Sequence, residues 1–338
     1  MESQKPQERA DDAKNKDERP PLKRRRQKPP EAEPASSSSK PGDPKFGNVI
    51  DIGDKFKKYG FWQAREGPLQ DNPKALILFA GRSRPGDLSH CLARLGWVVC
   101  SVDTKSPKPT DVLEGTVWEV ISGDIKAGYF DAVWIATPCG TFSPLRENPP
   151  GPRPLRSIQA IEGLPKDQLT DAEFKQVEEA NELVKVSYIA AAYQNRAKKP
   201  WGIENPRHHP DKPQIWYMPL FKKLAELRGV QIVEFDQCRT NLPTTKPTRF
   251  MVKRLDFNSL DGKRCNHPKT EHKRPDGSTY MSAHGSTVQK WVDGPKGRER
   301  ASVSQGEYTE DLCGIIAMAF HDTADEGWLE RELHQEPL

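Results

Sequence analysis

Long apolar runs are missing from this 338-residue chain, and only 34% of its residues are hydrophobic. No stretch approaches the ~20 residues that span a bilayer, so no membrane segment is expected. The polar start Met1-Glu2-Ser3-Gln4-Lys5 lacks the apolar core of a secretory leader. Cysteine is sparse: six residues (91, 100, 139, 238, 265 and 313) lie scattered, without a CxxC pair. That excludes a dense disulfide framework and leaves reduced thiols as the expectation. The Gly-x-Gly-x-x-Gly fingerprint of a dinucleotide fold is also missing, and no internal repeat is visible.

Charge is plentiful but nearly balanced: 52 Lys and Arg oppose 48 Asp and Glu, for a net charge of +4. Such a balance is compatible with a nucleic-acid partner without requiring one. Residues 1–45 hold almost no large apolar side chains and include Ser36-Ser37-Ser38-Ser39. A segment of that composition cannot bury enough surface to offset its chain entropy, so a disordered leader is expected. Within it, Lys23-Arg24-Arg25-Arg26 is a compact basic cluster. It reads either as a solvated charge run or as a nuclear-import or nucleic-acid tether. A nuclear location is expected on that cluster alone, and otherwise a cytoplasmic one.

The folded part is expected from about Phe46. Lys74 to Gly81 is an apolar run closed by glycine, as a central parallel strand would be. Asp87 to Leu95 carries Leu88, Cys91, Leu92 and Leu95 on one helical face, with Gly96 behind. Trp97–Val102 predicts a second strand ending at Asp103, and Trp118–Asp124 approaches another turn. Phe130–Ala136 predicts a buried strand, and Asp171–Arg196 a long helix with Phe174, Val177, Ala180, Val184 and Tyr188 in register. A strand through Lys199–Ile203 and a helix over Tyr308–Phe320 complete the reading. Strands alternating with helices argue for an α/β fold with a doubly wound parallel sheet.

The most informative stretch is Thr137-Pro138-Cys139-Gly140-Thr141-Phe142-Ser143, directly after the Phe130–Ala136 strand. Open α/β sheets place their chemistry at such strand ends. The segment resembles the nucleophile loop of DNA cytosine-5 methyltransferases. Two further pieces follow in the order of that family. Ile203-Glu204-Asn205-Pro206 is similar to its Glu-Asn-Val motif, and Lys246-Pro247-Thr248-Arg249 to its arginine motif. The resemblance covers about residues 74–255 and is closest to short forms from phages and mobile elements. It implies a class I S-adenosylmethionine-dependent methyltransferase sheet, Rossmann-like, with a small loop-rich C-terminal region. The implied division is a catalytic domain over 46–206, a target-recognition region over 207–306, and a C-terminal helix and tail over 307–338.

On that resemblance, Phe79, Ala80 and Gly81 open the cofactor loop, where glycine lets backbone approach the ligand. Asp103 would accept bonds from ribose hydroxyls. Asp124 and Ile125 correspond to the pair that meets the adenine, and Pro138 belongs to the same cofactor set. The family's second glycine is replaced by Arg82-Ser83-Arg84-Pro85-Gly86. Cys139 corresponds to the nucleophile. C5 of cytosine is a poor nucleophile, and thiolate addition at C6 turns it into an enamine-like carbon. The thiolate is expected to be favoured by a following helix N-terminus or by cationic neighbours. Glu204 would hydrogen-bond or protonate N3 as charge develops, and Arg249 would help hold the base and the carboxylate.

The implied substrate is DNA with its target cytosine flipped out of the stack. Arg146, Arg153, Arg156, Arg207, His208, His209, Lys246, Arg254 and Lys263 are candidate phosphate contacts. The expected assembly is a monomer. An alternative stays open: an inactive nucleic-acid-binding relic of such an enzyme from a mobile element. An amino methyltransferase would need an Asp/Asn-Pro-Pro-Tyr/Phe loop where Cys139 stands, and none is there. Separately, Cys265-x-His267 with His272, and Cys238 or His284 as a fourth ligand, has the composition of a structural zinc set. Without a CxxC pair, no metal ligand enters the expected site.

Overall fold

The computed structural model describes residues 58–65, 69, 72–143, 146, 152–273, 277–284, 291–294, 297–300 and 306–324. The expected leader of residues 1–45, with its basic cluster, lies outside them, as does most of the loop between Pro144 and Gly151.

Seven strands form the main sheet: β1 (Phe61–Gln63), β2 (Lys74–Leu78), β3 (Val98–Val102), β4 (Ala132–Ile135), β5 (Trp201–Pro206), β6 (Val230–Asp236) and β7 (Pro247–Lys253). Their order across the sheet is β1-β3-β2-β4-β5-β7-β6. The four central strands β3, β2, β4 and β5 are parallel, whereas β1 and β7 run antiparallel to their neighbours. The sheet is therefore mixed, parallel only at its centre. The expected boundary at 206/207 falls inside it, because β5 pairs with β7 along its whole length.

Helices cover both faces, as the alternating βα pattern requires. On one face, Leu76, Leu78, Val98, Cys100, Val133 and Ile135 pack under α2 (Val117–Lys126), α3 (Asp171–Arg196) and α4 (Pro219–Ala225). On the other, Ala75, Ile77, Val99, Trp134, Phe250 and Val252 meet α1 (Leu88–Arg94) and α5 (Glu310–Ala324). Successive residues of β2 and β4 alternate between these two cores, the period-2 signature of a sheet buried on both sides. α3 begins at a capping box: Thr170 accepts from the Glu173 N–H while Glu173 reaches back to the Thr170 backbone. Such a cap contributes about 1 kcal/mol.

Residues 118–124, expected to approach a turn, lie in α2 instead. Ile121 and Ile125, four apart, bury one face of that helix. Beyond β7 the chain adds two small hairpins, β8 (Thr270–Lys273) with β9 (Thr279–Ser282), and β10 (Trp291–Gly294) with β11 (Gly297–Arg300). α5 then returns to the core through Leu312, Cys313, Ile316 and Phe320.

One glycine is required by close approach. Gly202 on β5 stands opposite Trp134 on β4, and a Cβ there would lie 2.3 Å from Trp134 Cζ3. The indole is fixed by Phe250 at 4.9 Å and by Phe257 and Phe320 at 5.9 and 6.3 Å between ring centroids.

Candidate active site at the carboxyl ends of the central strands

The chain leaves β2 toward β3 on one side and leaves β4 toward β5 on the other, so the order reverses between β2 and β4. Open α/β sheets bind ligands beside such a switch point. At the end of β2, Phe79 takes a left-handed φ of 62° and Gly81 one of 77°. The Phe79 N–H donates to the Val102 carbonyl at 2.8 Å. The Gly81 N–H donates to Asp103 Oδ2 at 3.0 Å, and the Lys105 N–H donates to Oδ1 at 2.7 Å. Asp103 thus ties together the loops after β2 and β3. A Cβ on Gly81 would meet no atom within 4 Å, which leaves an open space over that backbone.

Asp124 and Ile125 do not join this group. They occupy the last turn of α2, where Ile125 is wholly buried in the core. Asp124 Oδ2 accepts from the Tyr59 hydroxyl at 3.0 Å, and Lys58 lies 3.9 Å from its other oxygen. The side chain expected against the adenine ring is therefore a core residue, because it continues the Ile121 stripe.

β4 delivers the Pro-Cys loop. Cys139 is half-buried, and its carbonyl accepts from the Phe142 N–H at 2.9 Å in a tight turn. Phe142 is buried beneath the Arg156 guanidinium, 3.8 Å from its ring centroid. Asn205, on β5, reaches across and donates from Nδ2 to the Thr137 carbonyl at 2.7 Å, both residues being buried. Thr137 Oγ1 in turn donates to Ser187 Oγ on α3 at 2.9 Å. The motif carrying Glu204 is thereby bonded directly to the motif carrying Cys139.

Glu204 is buried, and its Oε1 has no hydrogen-bond partner. Lys246 Nζ stands 3.9 Å from that oxygen. Lys246 is held by a bond from Nζ to the Gly306 carbonyl at 3.1 Å and sits 5.4 Å from the Tyr308 ring centroid. The Tyr308 hydroxyl accepts from Trp134 Nε1 at 3.2 Å. Burial and the Glu204 carboxylate hold the Tyr308 hydroxyl proton well above the ordinary phenol range. Arg84, from the segment that replaces the second glycine, donates to the Tyr308 carbonyl and lies 3.5 Å from Glu307. That replacement thus anchors the segment bearing Tyr308.

The Cys139 thiol is pushed up from its ordinary value, first by burial and next by the Glu204 carboxylate, with Lys246 acting in the opposite sense. Among the described residues the loop turns at Phe142, and the stretch where a following helix was expected lies mostly outside them. These surroundings favour the protonated thiol. A cation that favours ionisation does exist, but it is Lys246, which comes from the far end of the sequence motif.

Arg249 lies elsewhere. It pairs across the sheet with Asn205, whereas Glu204 pairs with Phe250, so the strand pleat sends Arg249 and Glu204 to opposite faces. Arg249 donates from Nε and Nη2 to Glu234 Oε1 at 2.8 and 2.5 Å, with its guanidinium 5.4 Å from the Trp216 ring. Of the expected phosphate contacts, Arg156 is 2% exposed and bonded to Thr141, Ile161, Asn181 and Val177. Burial and the nearby Arg146 lower its pKa to about 10. It is an internal strut of the Cys139 loop. Arg153 is clamped on Glu173 and Arg207 on Asp236.

Sequence reasoning missed Lys246 as the partner of Glu204, and missed Tyr308 and Arg84. Lys246 opens the arginine motif, three residues before Arg249. Nothing local marked Tyr308, which arrives from 104 positions beyond Glu204.

No family model matches the chain, and no curated protein matches it. Among solved structures it is similar to a protein encoded within an E. coli prophage and described as a candidate DNA modification methyltransferase. The TM-score is 0.32 and the identity 17%, over 58% of this chain and 53% of that one. The chain thus matches about half the length of that protein. A likeness so distant decides neither fold nor activity.

Proposed function

We propose that the chain transfers a methyl group from S-adenosylmethionine to C5 of cytosine in DNA through a covalent Cys139 adduct. The observation that carries this reading is Glu204: a buried carboxylate whose Oε1 accepts no hydrogen bond and faces Lys246 at 3.9 Å, on the strand that Asn205 bonds to the Cys139 loop. An unsatisfied buried acceptor is costly, and a cytosine ring over Cys139 would offer it a donor from protonated N3 or the exocyclic amine. The order of the Pro-Cys and Glu-Asn motifs, and their direct link through Asn205, support the same reading.

The cofactor fits the loops after β2 and β3. Phe79, Ala80 and Gly81 would form the floor, with open space over Gly81, and Asp103 would meet ribose hydroxyls with its remaining lone pairs. S-adenosylmethionine supplies an electrophilic methyl group on a sulfonium sulfur. Asp124 stays in the helical layer, and Pro138, exposed beside Cys139, would border the methyl group.

Addition of Cys139 Sγ to C6 forms an S–C bond and places the electron pair of the C5–C6 double bond on C5. The thiol proton is lost as N3 gains one, and Glu204 would carry that proton across. Neutralising Glu204 removes its opposition to ionisation of Cys139, while Lys246 continues to favour the thiolate. C5 would then take the methyl group as its bond to the sulfonium sulfur breaks and leaves a neutral thioether, and in the last step C5 would shed its own proton to solvent base. The pair from that C–H bond restores the double bond as Sγ leaves, and the N3 proton returns to Glu204. Tyr308 and Trp134 act as positioning residues behind the carboxylate. C6 of a base stacked in a duplex is out of reach of Cys139, so the cytosine must be flipped or single-stranded.

The test is incubation with tritium-labelled cofactor and unmethylated double-stranded DNA, beside Cys139→Ala. Label recovered as 5-methylcytosine with the wild type alone supports the reading. DNA binding without label would move it to the inactive relic, and label on an exocyclic nitrogen would overturn it.

A further inference from the structure

Side chains from three separate stretches of the sequence converge just past the end of β6. Cys238, Cys265, His267 and His284 place their ligand atoms within 4.8 Å of one another. Cys265 Sγ lies 3.5 Å from His267 Nδ1 and 3.3 Å from His284 Nε2, and the two imidazole centroids are 4.9 Å apart. Tetrahedral zinc with Zn–S of about 2.3 Å and Zn–N of about 2.0–2.1 Å requires ligand separations of roughly 3.3–3.8 Å. The two Cys265–histidine separations fall on the edges of that tetrahedron, and the remaining ligand atoms lie within 4.8 Å. His272, the ligand favoured by spacing, turns away: its Nε2 contacts Thr270 Oγ1 and the Ser282 carbonyl at 3.0 and 3.1 Å.

The surroundings argue the same way. Not one described residue between 261 and 284 is buried, so the β8–β9 segment has no core of its own. A short segment of that kind needs a clip to hold one conformation. Both cysteines are free, and a disulfide would leave the approach of His267 and His284 to Cys265 Sγ unexplained. The backbone around the cluster is also fixed: the Cys265 N–H donates to Asp236 Oδ2 at 2.8 Å, and Ser282 Oγ donates to the His284 carbonyl at 2.9 Å. Asp236 also receives Arg207, which follows directly on the Glu204-Asn205-Pro206 motif.

We propose that Cys238, Cys265, His267 and His284 form a structural Cys2His2 zinc site that pins the β8–β9 hairpin to the carboxyl end of β6. It supplies no open coordination position and takes no part in chemistry. Its presence does not depend on the methyl-transfer reading.

The experiment is metal analysis of the full chain, purified without chelators or a metal-affinity step. About one zinc per chain is expected in the wild type and in His272→Ala, with a loss of tenfold or more in Cys265→Ser and His284→Ala. Should those variants not fold, the wild type answers alone. Cobalt exchanged for zinc should show thiolate-to-cobalt charge transfer and intense tetrahedral d–d bands, and chelation should release two titratable thiols and lower the melting temperature. Zinc far below stoichiometry with no uptake on titration would overturn the proposal. So would a Cys238–Cys265 disulfide, full zinc retained in His284→Ala, or zinc lost in a folded His272→Ala.

Discussion

Asn205→Ala isolates the link between the two motifs. The wild-type amide donates to the Thr137 carbonyl at 2.7 Å, with Asn205 2% and Thr137 3% exposed. Alanine removes the donor and leaves a buried carbonyl facing the space it occupied. Loss of a buried bond with one partner stranded costs about 1–3 kcal/mol. A folded unit of this size loses roughly 2–4 °C of melting temperature per kcal/mol, so a fall of about 2–12 °C is expected. Asn205→Asp should be worse at neutral pH, since a carboxylate would face a carbonyl oxygen. Its deficit should shrink as pH falls toward the carboxyl range, because the protonated form regains a donor. Cys139 should also react faster with iodoacetamide in both variants, as its loop is released from β5. Thermal unfolding across pH, with mass-spectrometric mapping of the alkylated cysteine, provides the readout. An alanine variant within about 0.5 kcal/mol of wild type would refute the reasoning, because that is the scatter of an ordinary surface change. An aspartate variant no worse than alanine at neutral pH would refute it equally.

Glu204→Gln should speed alkylation of Cys139 at fixed pH by removing the carboxylate that holds its proton, and Lys246→Met should slow it; the reverse order would contradict the site electrostatics. In the wild type, alkylation should keep rising above the ordinary thiol pKa of about 8.5. Because the folded thiol holds its proton more tightly than the unfolded one, its contribution to stability is complete below the unfolded pKa. That contribution is lost as pH rises through the folded value. Cys139→Ser should accordingly lose less stability than wild type over that alkaline range, as followed by denaturant titration. Gly202→Ala should cost about 1–3 kcal/mol through overpacking on Trp134 and be partly rescued by Trp134→Leu; a double-mutant cycle with no coupling would show that the indole can move. Arg156→Ala should destabilise by about 2–4 kcal/mol without changing the salt slope of DNA binding, whereas a changed slope in a folded variant would restore it as a phosphate contact.

The local readings came through where one side chain pattern is enough. α3 runs from Asp171 to Arg196 as its periodicity predicts, and the central strands end near Gly81, Asp103 and Thr137. Burial on both faces leaves no other use for such short apolar runs. The link between the Cys139 and Glu204 motifs was legible as order along the chain. Other features depend on which distant strands become neighbours. β7 inserts between β5 and β6, and that register alone turns Arg249 toward Glu234 while Lys246 reaches Glu204. α2 forms at 117–126 because Ile121 and Ile125 find the sheet, which carries Asp124 and Ile125 away from the loops after β2 and β3. Tyr308 and the Cys238–His284 cluster join residues tens of positions apart, and spacing could not choose between His272 and His284. Composition and period fixed the elements, since they act within a few residues. The partners of each charged or metal-binding side chain were decided by tertiary packing, which brings together groups whose sequence separation carries no distance information.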